Sequence, residues 1–513
     1  MKVVTVEQMR LAEKNNATLG ITEQMLMQNA GAAAFEIIKE RQGNMLNNNK
    51  CVVLCGSGNN GGDGFVVANL LSKIAGKVTI VLANSIPKTK DAQYNYDICK
   101  QTECEIFDAD FDMQKCVSAI YNADVIVDAV FGIGFHGSLS EKITTLFNSA
   151  NFSKGKRFSL DLPSGANGNT GEADKNTFNA DITVTFGAAK MGHIILPCKE
   201  YCGELAVSDI GIHESSFDGI GTVISSITKN QIPSLLPERK PNSHKGNYGK
   251  LLIIAGSKNM SGAAALSTMA ALRSGVGLCT LASTKTVIDR IASNIYEPTY
   301  ITLPENENGG ISSQGINTFG KDIEKYDTVC FGMGMGNTDD TKQLLSYILK
   351  YAKGTVIIDA DGINALSSCI ELCKDTEAKV ILTPHPGEMS RLTGKSIAEI
   401  EANRVKTAKD FATEYNLTLV LKGANTIIAS PKGEVYINST GNSGLSRGGS
   451  GDVLTGIIGG LSAQSLTPLV AALTGVFIHG YSADSVADKT SKQGMLPSDV
   501  ISALPSVFGE FEK

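Results

Sequence analysis

Residues 50 to 83, KCVVLCGSGNNGGDGFVVANLLSKIAGKVTIVLA, carry the pattern from which the fold of this chain is read. KCVVLC (50–55) is a short apolar run of strand length, GSGNNGGDG is a turn, FVVANLLSKIAG has helical apolar spacing, and KVTIVLA (77–83) is a second strand. Together they make a βαβ unit, and Gly56, Gly58 and Gly61 satisfy G-x-G-x-x-G between strand and helix. A dinucleotide pyrophosphate sits on a helix N-terminus in that context. An ordinary dinucleotide site also needs an acid near the end of the second strand, and this one ends in Ala83, Asn84 and Ser85. The usual dehydrogenase reading therefore loses ground.

Working outward, further strands are expected at 123–131, 156–163, 180–187 and 203–210, the pattern of a mostly parallel, doubly wound sheet. Upstream, Thr5 and Gln8 form a capping box before one helix, and Thr22 opens another after Gly20. From about 215 to 240 the text turns polar and proline-punctuated, which reads as a connection. A second alternation follows, with strands at 250–256, 327–332, 355–361, 379–385 and 417–423, then TIIAS and EVYIN, and a small-residue helix at 262–275. The expectation is an α/β protein of two domains, 1–218 and 225–513.

Composition limits the partners. The 513 residues hold 46 Lys+Arg against 52 Asp+Glu, a formal charge of −6, with no basic run to follow a nucleic acid or an anionic membrane. With 42% hydrophobic and 19% charged residues, disorder and fibrous structure are excluded. Glu7 and Glu13 interrupt what an export signal would need, and the apolar stretch from about Leu466 to Ile478 is broken by Pro468 and Gly475. A soluble, cytoplasmic protein is expected. Eleven cysteines without a C-x-x-C fit reduced, mostly buried thiols.

The glycine turn has an unusual polar filling, Asn59, Asn60 and Asp63, beside glycines that would let a ligand approach. Asp128 and Asp161 stand at carboxyl ends of predicted strands, where open α/β sheets bind ligands. Asn60, Asp128 and Ser164 offer hard oxygens suited to an alkali or alkaline-earth cation. The same residues could instead cap their own turns. In the second half SRGGSGDVLTG frees backbone N–H groups at Gly448, Gly449 and Gly451 for an anion, with Asp452 beside them to accept a hydroxyl proton in phosphoryl transfer. The alternative is a glycine-rich helix start with an acidic cap. The G-x-x-x-x-G-K-[ST] motif is absent, which excludes a P-loop enzyme. LKGANTIIA (421–429) could contact a nucleotide, and TPHPGE sets His385 between prolines at a strand end.

GSGNNGGDGFVVA, DAVFGIGFHG, DLPSGANGNTG and TFGAAKMGH together resemble the NAD(P)H-hydrate epimerase domain over nearly all of residues 1–215. The resemblance implies a Rossmann-like sheet, with Asn59, Asn60, Gly61, Gly62, Asp63, Gly132, Ile133, Gly134, Phe135, His136, Gly137 and Ser138 around the hydrated nicotinamide nucleotide. It also implies potassium on Asn60, Asp128 and Ser164, and Asp161 at the substrate. Inversion at a hemiaminal-like carbon requires proton transfer, so Asp161 is expected as the acid/base group, with Lys190 assisting. From about 235 to the C-terminus, HKGNYGKLLIIAGS, GAAALS, FGMGMG, DADGIN and the G-x-G-D loop resemble the ribokinase-like, ADP/ATP-dependent NAD(P)H-hydrate dehydratase domain. That implies an adenine nucleotide on Lys422, Gly423, Ala424, Asn425, Thr426 and Gly451, and the hydrated cofactor on Ala264, Gly334, His385 and Asp452. Met333 stands where relatives often have proline.

The resemblance implies a bifunctional repair enzyme acting on NADHX and NADPHX, with ADP as phosphoryl donor (ATP possible), Mg2+ at the phosphates, and a homo-oligomeric state. The competing readings are a vitamin or sugar kinase of ribokinase type fused to a nucleotide-binding domain, and a non-catalytic nucleotide sensor.

Overall fold

The computed structural model describes residues 1–512 and divides into two compact units after Val223. In the first unit β1 (Lys2–Val4), β2 (Lys50–Cys55), β3 (Lys77–Leu82), β4 (Glu105–Asp108), β5 (Val125–Ala129), β6 (Lys156–Leu160), β7 (Ile182–Phe186), β8 (Ala189–Lys190) and β9 (Glu204–Ser208) alternate with helices. Seven of these form one parallel sheet in the order β4-β3-β2-β5-β6-β7-β9. The order reverses between β2 and β5, so the loops after these two strands part and leave a crevice at their carboxyl ends.

Strands covered on both faces read as continuous apolar runs. Along β2, Cys51, Val53 and Cys55 enter one core with Phe65, Val67 and Leu71 of the helix Asn59–Leu71. Val52 and Leu54 enter the opposite core with Ile143, Leu146 and Phe147 of the helix Glu141–Phe152. The short strands β1 and β8 pair in parallel, with Val4 opposite Lys190. The helix Val6–Ala17 then starts from the capping box that Thr5 and Gln8 form.

The second unit contains β10 (Ile224–Ser225), β11 (Lys250–Ile254), β12 (Leu278–Thr284), β13 (Thr299–Leu303), β14 (Thr328–Phe331), β15 (Thr355–Ile358), β16 (Lys379–Leu382), β17 (Thr418–Leu421), β18 (Ile427–Ala429) and β19 (Val435–Ile437). Its sheet runs β13-β12-β11-β14-β15-β16-β17-β18-β19-β10, parallel as far as β17 and antiparallel at β17/β18 and β18/β19. Here the order reverses between β11 and β14. The helix Ser450–Ala463 lies against Ser261–Arg273 with backbones almost touching, since a Cβ on Gly456 would fall 2.2 Å from the Ser267 carbonyl oxygen.

Two expectations change. The polar connection at 215–240 holds short elements, including the helix Ile232–Leu235 and β10, which pairs with β19. Elements of two to four residues are too short to show a hydrophobic period. The interrupted stretch around 466–478 is one helix, Pro468–Lys489, because Pro468 occupies its first turn, where a missing N–H costs nothing. This helix is long and apolar enough to cross a bilayer by length and composition, yet 72% of its most apolar window is buried within the protein. All eleven cysteines are free thiols, with Cys104 and Cys369 half-buried and the others buried.

The glycine turn is held by the Asn84 side chain, whose Oδ1 accepts the Ser57 N–H at 2.9 Å, and by close backbone contact, with no capping bond from its own Asn or Asp side chains among the described residues. A Cβ on Gly61 would lie 1.9 Å from the Gly56 carbonyl oxygen, so the helix Asn59–Leu71 starts where it does only with glycine at that place. Gly61→Ala is therefore expected to destabilise the first unit by about 3 kcal/mol. Urea unfolding checks this, and a wild-type midpoint would contradict the contact.

Candidate functional sites

At the crevice of the first unit a cavity of about 970 Å³ opens between the glycine turn, the loop after β5 and the end of β6. Asn59, Asn60, Asp63, Gly132, Ile133, Gly134, Phe135, Asp161 and Lys190 all line it. The remaining residues expected around the ligand stand off the lining. Gly61 and Gly62 are packed against the Gly56 carbonyl and the Met27 side chain. His136 faces Asn167 at 3.3 Å on an exposed edge, and Gly137 and Ser138 follow it.

Asp161 follows β6 with a left-handed backbone, φ 63°. That conformation is costly for a residue with a Cβ and persists only where its surroundings impose it. Here they do. Its N–H donates to the Val184 carbonyl at 2.7 Å, and its own carbonyl accepts from His193 Nε2 at 2.7 Å. Its carboxylate accepts from Lys190 Nζ at 2.7 Å, Thr185 Oγ1 at 3.2 Å and the Ile133 N–H at 3.3 Å. Lys190 is 1% exposed, and Nζ also donates to Thr185 Oγ1 (2.9 Å) and the Phe186 carbonyl (3.1 Å), so its three protons are all engaged. Burial would lift the Asp161 carboxyl, but the Lys190 ammonium and its hydrogen bond outweigh burial and hold it below the ordinary carboxylate value.

His193 Nδ1 accepts the Lys190 N–H at 2.9 Å, and burial and the Lys190 charge bring the imidazole down to about 4. It is therefore a neutral Nε2–H tautomer at physiological pH. His193 and Thr185 were missed in the sequence; they are the last and first residues of TFGAAKMGH, and nothing there marks either as a buried hydrogen-bonding group.

Asp128 and Ser164 lie behind the cavity. The buried Asp128 carboxylate accepts from Ser164 Oγ (2.6 Å), Ser164 N–H (2.8 Å), Ser159 Oγ (3.0 Å) and Val130 N–H (3.2 Å). Burial nevertheless raises it to about 6. Both polar atoms of the Asn60 side chain are buried with no hydrogen-bond partner, a state that normally costs 1–3 kcal/mol. An amide oxygen left open is a hard donor of the kind an alkali cation takes.

In the second unit Asp452 is the third residue of the helix Ser450–Ala463, which starts from Gly449 at φ 98°. Beneath this start lies a part-buried ion pair that the sequence did not disclose. Asp359, at the end of β15, accepts from Lys422 Nζ at 2.8 Å and from Thr455 Oγ1 at 2.8 Å. A Cβ on Gly451 would come within 3.3 Å of Lys422 Nζ and 3.6 Å of Asp359 Oδ2, so the glycine start and the ion pair are in contact. Burial works to raise Asp359, but the Lys422 charge prevails and holds it low, whereas burial and the Asp359 charge push Asp452 up to about 7. Glu388, 3.9 Å from Lys422, is raised to about 7 chiefly by burial.

His385 is the N-cap of the helix Pro386–Thr393. Its Nδ1 accepts from the Gly387 and Glu388 N–H groups at 3.0 and 3.4 Å, while half of its side chain remains exposed. Gly334 rests against Met260 and Ala263 at the start of the helix carrying buried Ala264. Met333 is fully buried, and its carbonyl accepts the Gly256 N–H at 2.8 Å, a backbone contact that holds the loop where relatives often have proline. Gly423, Ala424, Asn425 and Thr426 form the turn between β17 and β18, where Thr426 Oγ1 bonds the Gly423 carbonyl at 3.2 Å. Arg404, absent from the sequence-based set, clamps that turn through the Leu421 and Lys422 carbonyls at 3.1 Å each. Among the described residues no three His, Cys, Asp or Glu side chains cluster as a metal site.

Residues 251–506 match the family model described as NAD(P)H-hydrate dehydratase, and residues 23–192 match that of the YjeF-related protein N-terminus. The bifunctional NAD(P)H-hydrate repair enzyme Nnr of Moorella thermoacetica is 35% identical over 492 residues, covering 95% of this chain and 93% of the relative. That of Escherichia coli is 34% identical over 503 residues, covering 98% and 93%. A solved ADP/ATP-dependent NAD(P)H-hydrate dehydratase from Bacillus subtilis, co-crystallised with ATP/Mg2+, is 34% identical over 56% of this chain and 99% of its own, with TM-score 0.49. The chain belongs to the bifunctional NAD(P)H-hydrate repair enzymes, with an epimerase in the first half and a dehydratase in the second.

Proposed function

We propose that the cavity at Asp161 interconverts the R and S hydrates of NADH and NADPH, and that the glycine start at Asp452 dehydrates the S form using ADP. The observation that carries the second assignment is the contact between Gly451 and the Lys422–Asp359 pair. Free helical N–H groups, an oriented ammonium and a carboxyl poised near neutrality then meet where a phosphoryl group would be transferred.

In this reading Asp452 takes the proton of the C6 hydroxyl as its oxygen attacks the terminal phosphorus of ADP, and AMP leaves. Lys422 and the N–H groups of the glycine start hold the phosphate oxygens through the charge build-up. The C6–O bond of the phosphorylated intermediate then breaks with the electron pair of the ring nitrogen, phosphate departs, and loss of a C5 proton restores the dihydronicotinamide. Ala264, Gly334 and His385 would border the hydrated ring, and the turn 423–426 the adenine nucleotide. Mg2+ would arrive on the nucleotide phosphates and neutralise part of their charge.

In the epimerase Asp161 is the base at the C6 hydroxyl, and Lys190, with its protons already engaged, keeps that carboxylate ionised and aimed. The loop 132–135 and the helix start Asn59–Asp63 would hold the ligand, with His136, Gly137 and Ser138 at its outer edge. Asn60, Asp128 and Ser164 would hold potassium, which supplies positive charge beside a nucleotide bearing phosphates. A cytoplasmic setting, where thiols stay reduced, suits eleven free cysteines.

Crossed variants separate the two sites. Asp452→Asn should lower dehydration of pure S hydrate by about 10²–10⁴-fold and leave epimerisation intact, while Asp161→Asn should do the reverse. A variant that impairs both or neither activity contradicts the division. Because Asp452 works ionised and sits near 7, dehydratase kcat/KM should fall as the pH drops through about 7, and not through the ordinary aspartate range near 4. For potassium, replacing Na+ by K+ should raise the melting temperature of the first unit by about 2–4 °C, the effect of ~1 kcal/mol in a domain of this size. Asn60→Ala should abolish the shift in a calorimetric scan.

A further inference from the structure

Epimerisation at C6 needs an acid as well as a base, and Asp161 is held in the state that can only accept. The helix Val6–Ala17, N-terminal to the stretch 23–192 that the family model matches, supplies a second carboxyl to the same cavity. Arg10, Glu13, Lys14 and Ala17, at helical spacings of three, four and seven, all line that cavity with Asp161, Lys190, Asp63 and Asn60. The opposite face of the helix is fixed. Met9 and Ala12 enter a core with Val4 and Phe217. Asn16 Nδ2 donates to the Gly211 carbonyl at 3.1 Å, and the Val6 N–H donates to Asn169 Oδ1 at 2.7 Å. The helix also starts two residues after Val4, the strand partner of Lys190, so Glu13 and the Lys190–Asp161 pair are parts of one rigid local assembly.

We infer that Glu13 is the proton donor to the ring nitrogen during epimerisation, acting with Asp161 as the base. The inference rests on the epimerase reading of this cavity. As Asp161 takes the proton of the C6 hydroxyl, the C6=O double bond forms and the C6–N1 bond breaks. The electron pair moves to N1, which takes the proton of the Glu13 carboxyl. The open-chain aldehyde turns about its C5–C6 bond. N1 then closes on the other face of the carbonyl and returns its proton to Glu13, while Asp161 returns the first proton to the C6 oxygen. Substrate and product are isomers, and both carboxyls end as they began.

The surroundings fit an acid at this position. Among the described residues Glu13 makes no ion pair, unlike Asp161, although Arg10 and Lys14 of its own helix, Glu23 of the next, Asp63, Asp161 and Lys190 all border the same space. Burial is the main effect on Glu13 and lifts it to about 7, with Lys190 opposing and Asp161 and Glu23 adding to the rise. Two carboxyls whose surroundings drive them apart are the usual structural mark of an acid/base pair. Asp63 is also pushed well up by burial and by the charges of Asp161 and Glu13, and it is the competing donor.

The test follows conversion of separated S hydrate into R hydrate above the spontaneous rate, in the full-length protein. Wild type should lose epimerase kcat/KM as the pH rises through about 7, because the donor works protonated. Glu13→Gln should lower kcat at least ~100-fold with KM within about threefold, and abolish that alkaline limb. Glu13→Asp should keep the limb, and formate should restore part of the rate to Glu13→Ala, which a structural role would not allow. Dehydration of pure S hydrate should be unchanged in all three. The inference is overturned if Glu13→Gln keeps kcat within threefold, if its defect lies only in KM with the limb intact, or if the limb disappears only with Asp63→Asn. Should Glu13→Gln fail to fold, the Glu13→Asp profile and formate rescue decide alone. Absence of epimerisation in wild type would instead overturn the reading of the cavity itself.

Discussion

Each unit keeps one buried aspartate ionised at the carboxyl end of a central parallel strand by placing a lysine against it. Removing a carboxylate from water without compensation is expensive enough that the group would ordinarily take up a proton. Lys190 at 2.7 Å from Asp161, and Lys422 at 2.8 Å from Asp359, prevent this. Both aspartates follow the last residue of their strands, β6 and β15, and both loops turn immediately through a left-handed residue, Asp161 itself in the first and Ala360 in the second. The strain, the hydrogen bonds and the ion pair thus belong to one arrangement that fixes a charge at the mouth of the sheet.

That fixed charge adds to the effect of burial on the carboxyls around it. Asp452 near Asp359, and Glu13 near Asp161, are both half-buried and, among the described residues, without an ion partner, and partial burial together with the neighbouring negative charge brings each to about 7. In each unit one carboxyl is thus anchored as an anion while a second nearby is brought close to neutrality. Separating the two roles by environment lets two carboxyls carry acid and base chemistry at neutral pH.

Much of this was legible in the sequence. The alternation of apolar strands and helices marks two doubly wound sheets, and the glycine turn, the DLPSG stretch and SRGGSGD follow β2, β6 and β19 in the chain. Local patterns of this kind act over a few residues and can be read from one segment. The lysines are different. Lys190 and Lys422 meet their aspartates across 29 and 63 residues of sequence, so neither pairing has a local signature. Glu13 was visible only as a charge that breaks an apolar stretch, and its place in the cavity follows from β1 pairing with β8. Asp359 lies within the quoted DADGIN, yet nothing in its neighbours distinguishes a buried, paired acid from a helix cap.

Carrying both sites on one chain matters because the hydrates interconvert, and a dehydratase restricted to the S form leaves the R form untouched. The most direct measurement is recovery of dihydronicotinamide absorbance from a mixed R/S hydrate of NADH with purified protein and Mg2+, comparing ADP, ATP and no nucleotide. The account predicts recovery beyond the S fraction, faster than spontaneous epimerisation permits, and fastest with ADP. No recovery with either nucleotide, or a stable phosphorylated product, would contradict it.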